Sequence, residues 1–359
     1  MSNKKLMIVI PSYEPDGKLI ELVDKLNNFF TNFNIIIVND GSVGYDNIFN
    51  EVKNKNNVIL LNHKENQGKG EALKTAFKFI KKLDQESVIV TCDSDGQHTP
   101  TDIKKVYDFY LKNPNSLVLG SRKFEGNVPK KSQFGNITTK ILLREVEGFY
   151  LHDSQTGLRA FGSEELDRMI SIKGHRFEYE MNMLVEMNRF GVDIKEIAIE
   201  TIYFDNNSNT HFRPIKDFLK ICFTIDKYNL PLYLSYLLTI IVFIITYFIT
   251  KAIGIYDDSL ISNIYLLIMS GSIAIFFNLL INTSGFFYGN RFIFMNKYLG
   301  LRNLIITMIS LIFLTGFFLL FNKYLEYKIL SIILACISAR IIQGLINFFV
   351  IKKKKLYEE

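Results

Sequence analysis

The sequence has no tryptophan and only three cysteines in 359 residues. Cys92, Cys222 and Cys336 lie far apart and none belongs to a CxxC pair. That excludes a zinc cluster and a disulfide framework, and it fits a reducing compartment. No signal peptide is expected either: MSNKK runs directly into a strand-like apolar stretch, without an apolar h-region or small-residue cleavage site. The 5 histidines are scattered. Lys and Arg outnumber Asp and Glu by 42 to 36, a formal net charge of +6. The charge is dispersed and accompanies no groove-reading motif, so nucleic acid is set aside and an anionic membrane face is the fitting partner.

What the chain does contain is unevenly distributed. Residues 1 to about 229 alternate charged and apolar stretches, whereas from about Leu230 onward Ile, Leu and Phe dominate. A chain of this length suits two domains. In the first part, Leu6–Ile10, Ile35–Val38, Val58–Leu61, Val88–Thr91 and Leu117–Leu119 are short apolar runs rich in β-branched residues. Helical patterns separate them. Leu19–Phe30 puts Leu22, Val23 and Leu26 on one face, Gly70–Leu83 does so with Leu73, Ala76, Phe77 and Ile80, and Asp102–Lys112 supplies Ile103, Val106 and Tyr110. Alternating strands and helices predict an α/β domain with a mostly parallel sheet covered on both sides. Ligands of such sheets bind beyond the carboxyl ends of the strands.

The residues with chemical potential fall at those ends. Pro11-Ser12-Tyr13-Glu14 follows the first run, Asn39-Asp40-Gly41-Ser42 the second, and Asp93 and Asp95 the fourth, in VIVTCDSDGQH (Val88–His98). Residues i and i+2 of an extended segment point the same way. Asp93 and Asp95 are thus placed to share one hard cation, Mg²⁺ or Mn²⁺, which keeps open positions for substrate phosphates. Gly68-Lys69-Gly70 precedes a helical pattern, so backbone N–H groups and a lysine are available to meet phosphate, or only to cap the helix. Asp40-Gly41-Ser42 also reads as a plain Asx-type turn.

In this order, IVIPSYEP, IVNDGS, NQGKGEALKTAF, CDSDGQH, LGSRKFEG, DSQTGLRAF, FEYEMNML and HFRPIKDFLKI resemble the glycosyltransferase family 2 nucleotide-diphospho-sugar transferases, specifically the polyprenyl-phosphate glycosyltransferases. The likeness covers about residues 6–225. It implies a Rossmann-like GT-A catalytic domain over residues 1–213. It also implies that Pro11, Tyr13, Glu14, Asp40 and Lys69 hold the donor nucleotide, and that Asp93, Asp95 and Gln97 bind metal and diphosphate. Arg213 and Lys216 would serve the donor diphosphate. Arg122, with Lys130 and Lys131 where many relatives carry an arginine, would serve the acceptor phosphate. Asp95, Asp153 and Arg122 form the implied catalytic set. Asp153 matches a carboxylate that is a base in many relatives; its plainer roles are to orient Arg159 or cap a turn. A phosphate monoester acceptor, with a second pKa of about 6, needs no base to be nucleophilic at neutral pH. His98 has no firm role.

Pro214–Tyr228 mixes Ile215, Phe218, Leu219 and Phe223 with Lys216 and Lys220, so 214–229 reads as an amphipathic juxtamembrane helix. Lys131–Leu151 has a similar mixture. Four later stretches, about 230–253, 261–286, 304–321 and 329–351, are long enough to span a ~30 Å hydrocarbon layer. They predict an all-α four-helix transmembrane domain over 230–355. Asp257-Asp258 in the first link, Arg291, Lys297 and Arg302 in the second, and Lys352–Lys355 after the last put the catalytic domain and both termini in the cytosol of a plasma-membrane protein. This tail resembles the GtrA-like four-span proteins associated with lipid-linked sugars. Arg340, about 12 residues or ~18 Å from the lysine cluster, is expected near mid-span. There it costs about 2.5–3.5 kcal/mol unless it is partnered, with Asn278, Asn282 and a lipid phosphate as candidates.

The expected activity is transfer of a sugar from a nucleotide diphosphate, UDP ahead of GDP-mannose, to undecaprenyl or dolichyl phosphate with inversion. The alternative is a lipid-linked sugar carrier whose first domain only binds nucleotide sugar. A processive polysaccharide synthase is disfavoured, because those relatives carry QxxRW and this chain has no tryptophan. Self-association is left open.

Overall fold

The apolar runs become strands, and most are buried on both faces. β1 (Lys5–Ser12), β2 (Phe33–Asn39), β3 (Val58–Asn62), β4 (Ser87–Thr91) and β5 (Ser116–Arg122) contain all five expected runs. In β4 every residue is buried, as continuous Val/Ile runs in a two-sided sheet require. The computed structural model describes residues 4–122 except 84, 150–200, 230–283 except 258, and 356–357, with scattered residues within 136–143 and 313–341. These fall into two units, one of Met1–Leu143, Phe149–Ile225 and Lys353–Glu359, the other of Arg144–Gly148 and Asp226–Lys352.

The helices of the first unit pack one stripe each against the sheet. α1 (Lys18–Phe29) buries Leu19, Leu22, Val23 and Leu26. α2 (Asp46–Lys53), which the sequence reading did not include, buries Phe49 and Val52. α3 (Lys69–Lys82) buries Ala72, Leu73, Ala76, Phe77 and Ile80, and the Phe77 ring meets Phe161 edge-on at 5.3 Å. α4 (Pro100–Lys112) has a strong start: Thr99 Oγ1 accepts from Asp102 N (3.1 Å) and donates to Asp102 Oδ2 (2.8 Å), with Pro100 in the first turn. That cap fixes where the loop after β4 must end.

Four further elements follow: β6 (Arg159–Gly162), α5 (Leu166–Ser171), α6 (Glu178–Arg189) and β7 (Asp193–Ile199). The last strand, β8 (Leu356–Tyr357), comes from near the C-terminus. The sheet order is β3-β2-β1-β4-β6-β5-β7-β8. β1 pairs in parallel with β2 and β4, β2 with β3, β5 with β7, and β7 with β8. β6 alone runs antiparallel, wedged between β4 and β5. The expectation of a mostly parallel α/β sheet therefore holds, with one reversed strand. Because β2 and β4 leave β1 in opposite directions, a crevice opens at the carboxyl ends of β1 and β4. β4 and β5 both oppose β6, so their carboxyl ends share that edge.

In the second unit, α7 (Leu230–Ala252) and α8 (Leu260–Thr283) coincide with the first two expected spans. Gly254, at φ +74°, ends the first of them, with Ile255 N donating back to Thr250 O. Ser259 Oγ accepts from Ser262 N (3.1 Å) at the start of the next. Phe243, Tyr247, Tyr256, Leu266, Phe318 and Ala335 form the interior. The four-span domain itself is an expectation the structure does not carry: among the described residues, no helix is long and apolar enough to cross a membrane. Most of the third and fourth stretches, with Arg340, the 214–229 helix, and most of 131–149, lie outside the described residues.

Candidate active site

The end of β4 is held from two sides. Cys92 N continues the ladder to Val9 O (3.0 Å), and seven residues later Thr99 caps α4. Between them Gly96 turns at φ +75°, and Gln97 N closes on Asp95 Oδ1 at 3.0 Å. Asp93 is thereby directed at three neighbours. Lys69 Nζ lies 2.7 Å from its Oδ1, and His98 Nε2 lies 3.7 Å from its Oδ2. The third is the backbone of Gly157, where a β-carbon would stand 2.5 Å from Asp93 Oδ2. Thr91 Oγ1, donating to Gly157 O at 2.8 Å, holds that glycine in place. Burial raises the Asp93 pKa, but the charges of Lys69 and His98 outweigh it and hold the carboxyl well below its usual range. Asp95 is pushed up, by burial and by the charge of Asp93.

Two carboxylates that repel each other at the end of a strand fit a divalent cation. Their oxygen donors suit a hard ion such as Mg²⁺ or Mn²⁺. Among the described residues no group of three or more His, Cys, Asp or Glu forms a closed metal cage.

Asp40 is buried and densely bonded. Its Oδ1 accepts from Gln67 N (2.9 Å) and faces His63 Nδ1 (2.7 Å), and its Oδ2 accepts from Gly68 N (2.8 Å). His63 Nε2 in turn lies 2.8 Å from Thr75 Oγ1. Of the backbone N–H groups expected at Gly68-Lys69-Gly70 to meet phosphate, that of Gly68 is thus taken by an internal carboxylate. The Asx-type turn is present, but Asn39 makes it, with Oδ1 accepting from Ser42 N at 2.9 Å. Ser42 Oγ then receives Glu14 N (2.8 Å), which ties the loop after β1 to the loop after β2. Pro11 lies within β1 and Tyr13 just beyond it, half-buried. The Ser12 hydroxyl between them is buried and, among the described residues, has no hydrogen-bond partner.

Asp153 is fully buried and grips Arg122 in a fork, with Nε to Oδ2 at 2.6 Å and Nη2 to Oδ1 at 3.1 Å. Burial opposes its charge, yet the Arg122 guanidinium keeps the carboxyl below its usual range. Asp153 does not bond to Arg159, contrary to one of the roles considered for it. Arg159, 1% exposed, donates instead to Thr156 O (3.0 Å) and Glu180 O (2.7 Å). Two residues of this neighbourhood were not anticipated. Buried Glu196 on β7 accepts from His152 N (2.8 Å) and Asp153 N (3.0 Å), and Glu180 Oε2 lies 2.8 Å from Lys69 Nζ. Glu180 sits inside FEYEMNML, a segment already noted but given no role. Lys130, Lys131, Arg213 and Lys216 lie outside the described residues.

Arg122 ends β5 and Asp93 follows β4, two strand positions apart at the same edge, or about 10 Å in the sheet. A parallel α/β sheet with an acidic pair at its switch crevice and a fixed arginine beside it belongs with enzymes that handle anionic, nucleotide-like substrates. The sequence profile of glycosyl transferase family 2 matches residues 7–164. The chain is 32% identical over 224 residues to the UDP-N-acetylglucosamine–dolichyl-phosphate N-acetylglucosaminyltransferase of Methanococcus voltae, covering 56% of this chain and 88% of that one. It is 30% identical over 208 residues to an uncharacterized protein of Methanocaldococcus jannaschii, covering 56% of this chain and 84% of that one. The chain belongs to glycosyl transferase family 2. Among solved structures, glucosyl-3-phosphoglycerate synthase from Mycobacterium tuberculosis, in complex with Mn²⁺ and UDP, superposes with a TM-score of 0.48 and 14% identity, over 64% of this chain and 80% of that one.

Proposed function

We propose that this protein is a membrane-bound, inverting glycosyltransferase of GT-A fold. It moves a sugar from a nucleotide diphosphate to a polyprenyl phosphate and forms a polyprenyl-monophosphate sugar. The observation that carries this reading is the pairing, at one sheet edge, of the Asp93–Asp95 acidic pair with the Arg122–Asp153 fork. The relative from Methanococcus voltae, whose name specifies a UDP-sugar and dolichyl phosphate, supports a UDP donor ahead of GDP-mannose.

Asp93 and Asp95, with Gln97, would hold Mg²⁺ or Mn²⁺, which when bound neutralises charge on the leaving nucleotide diphosphate. Pro11, Tyr13 and Glu14 face the nucleoside, with Asp40 shaping the loop behind it. Lys69, Arg213 and Lys216 serve the diphosphate. Arg122 receives the acceptor phosphate together with Lys130 and Lys131, since a guanidinium held in one plane suits phosphate oxygens. Asp153 is the residue that fixes that plane. A carboxyl held ionised by an arginine is a weak base, and the acceptor dianion needs none. Orientation and charge stabilisation then supply the catalysis.

The second unit supports the membrane part of the reading. Leu237, Ile241, Ile245, Phe248 and Ile249 follow helical spacing on α7 and are all exposed, as are Ile261, Tyr265, Ile268 and Phe276 on α8. Thr246, Thr250, Asn263 and Ser270 are buried instead. Thr250 Oγ1 and Ser270 Oγ bond to Thr246 O (2.9 Å) and Leu266 O (2.7 Å). Apolar side chains outside, with polar ones buried beside the aromatic interior, is a distribution that lipid favours. A four-span, GtrA-like arrangement with both termini cytosolic completes the proposal.

The test is a panel of labelled UDP- and GDP-sugars, offered to membranes containing the protein and undecaprenyl phosphate. Label entering the organic phase from one donor, abolished by EDTA and by Asp95→Ala, supports the reading. No transfer from any donor by folded protein sinks it.

A further inference from the structure

The cation that Asp93 faces in this structure is the protein's own. Lys69 Nζ is shared between Asp93 Oδ1 at 2.7 Å and Glu180 Oε2 at 2.8 Å, with the Lys69 and Glu180 side chains only 18% and 11% exposed. Asp93 is also an oxygen donor that a divalent ion needs, and an ammonium and a dication compete for the same carboxylate. We propose that Lys69 is an internal counter-ion that guards Asp93 against bare divalent cation, and that Glu180 is the partner that keeps Lys69 when metal and nucleotide diphosphate arrive together. This rests on the metal–diphosphate reading of the site and adds its order of assembly.

The placement of Lys69 is built by the backbone rather than by a loose side chain. A β-carbon on Gly68 would stand 2.4 Å from Arg176 Cγ and 2.6 Å from His175 O, and one on Gly70 would stand 2.5 Å from Tyr179 Cβ. The two glycines that flank Lys69 let the start of α3 press against 175–180, and that closeness brings the ammonium to Glu180. Glu71 N donating to His175 O (3.0 Å) and Lys74 Nζ donating to Gly174 O (2.7 Å) hold the same seam. α6 is fixed in turn, through Tyr179 OH to Met169 O (2.8 Å) and Arg159 to the Glu180 carbonyl. The Gly68 N–H of this glycine-lysine-glycine is already taken by Asp40. The segment sets a lysine between two carboxylates. Moving off Asp93 costs Lys69 one of two partners and does not strand an unpaired charge, which would be far more costly in a buried setting.

The test uses Mn²⁺ alone as the probe. Loss of the free-ion electron paramagnetic resonance signal is titrated against nucleotide-free, full-length protein, with no turnover involved. Lys69→Met is expected to tighten Mn²⁺ binding by about tenfold, the scale of one charge-assisted contact no longer displaced. Glu180→Gln is expected to weaken it, because Lys69 then has only Asp93. Lys18→Met removes a lysine beside Gly96 that is paired with Asp16 and is expected to change little. Unchanged or weaker binding by Lys69→Met overturns the proposal, as does equal tightening by Lys18→Met or tighter binding by Glu180→Gln. If Lys69→Met does not fold, Glu180→Gln decides. Repeating the titration with UDP or GDP present separates the two levels. No Mn²⁺ uptake by any variant under any condition removes the metal reading itself. Uptake by wild type with nucleotide, but no effect of Lys69→Met without it, removes only the guard.

Discussion

Replacing Asp153 by asparagine separates a fixing role from a base role. Asp153 is 0% exposed and Arg122 16%, and the carboxylate also accepts Gln155 N (3.1 Å) and Arg122 N (3.4 Å). Asparagine keeps the volume but turns an amide NH₂ toward groups that can only donate. Breaking a buried pair by removing one partner costs about 3–5 kcal/mol. The partial exposure of Arg122 lets water relieve some of it, so about 3 kcal/mol is expected, or roughly 6–12 °C in the unfolding midpoint of a domain this size. Neutralising both partners, as in Asp153→Leu with Arg122→Met, should cost less than the two single changes together. The pH dependence has a definite sign. The folded pKa of Asp153 lies below the ordinary value of about 3.9, so the pair stabilises the protein above that value and is lost as pH falls through the folded pKa. Asparagine should therefore flatten stability only in strong acid, and the neutral pH–rate profile of the wild type should show no limb from Asp153. The assays are thermal unfolding from strong acid to pH 8 and the rate profile of transfer. A variant as stable as wild type, but slowed by the 10²–10⁴ expected for a lost base and missing an acidic limb, would refute the reasoning.

Other perturbations follow from single contacts. Gly157→Ala should weaken Mn²⁺ binding with little loss of stability, because its β-carbon would press on Asp93 Oδ2 from 2.5 Å; calorimetric titration checks this. Gly41→Ala should destabilise by at least about 2 kcal/mol in denaturant unfolding, since φ is +72° and the new carbon would stand 2.2 Å from the Glu65 backbone. Tyr357→Ala removes a ring 5.0 Å from Phe109 at the edge of the sheet. It should lower catalytic-unit stability by about 1 kcal/mol, read from the same unfolding curves.

The five runs that became β1 to β5 were legible because strands covered on both faces must be apolar throughout. β6 was not: it has four residues, and Arg159 heads it. That arginine is buried only because the carbonyls of Thr156 and Glu180 receive it, a condition set by residues distant in the chain. β7 carries Lys195 and buried Glu196, which break the apolar pattern, and β8 is a Leu-Tyr pair whose only strand signal is its tertiary partner. At the site, the acidic pair and Arg122 were visible as motifs. The use of Asp40 was not, because its ligands, Gln67, Gly68 and His63, lie at least 23 residues away. Nor was Glu180, whose role depends on how closely two glycines allow α3 to approach α6.

The central claim is that one sugar, without its phosphate, is transferred to a polyprenyl phosphate. The most direct measurement is the mass of the lipid formed by full-length protein in membranes from undecaprenyl phosphate and the donor it accepts, with Mn²⁺ or with EDTA. The account predicts a metal-dependent product one dehydrated hexose or N-acetylhexosamine heavier than the acceptor, carrying a single phosphate. A product carrying a diphosphate, or the same product formed undiminished by Asp95→Ala in EDTA, would contradict it.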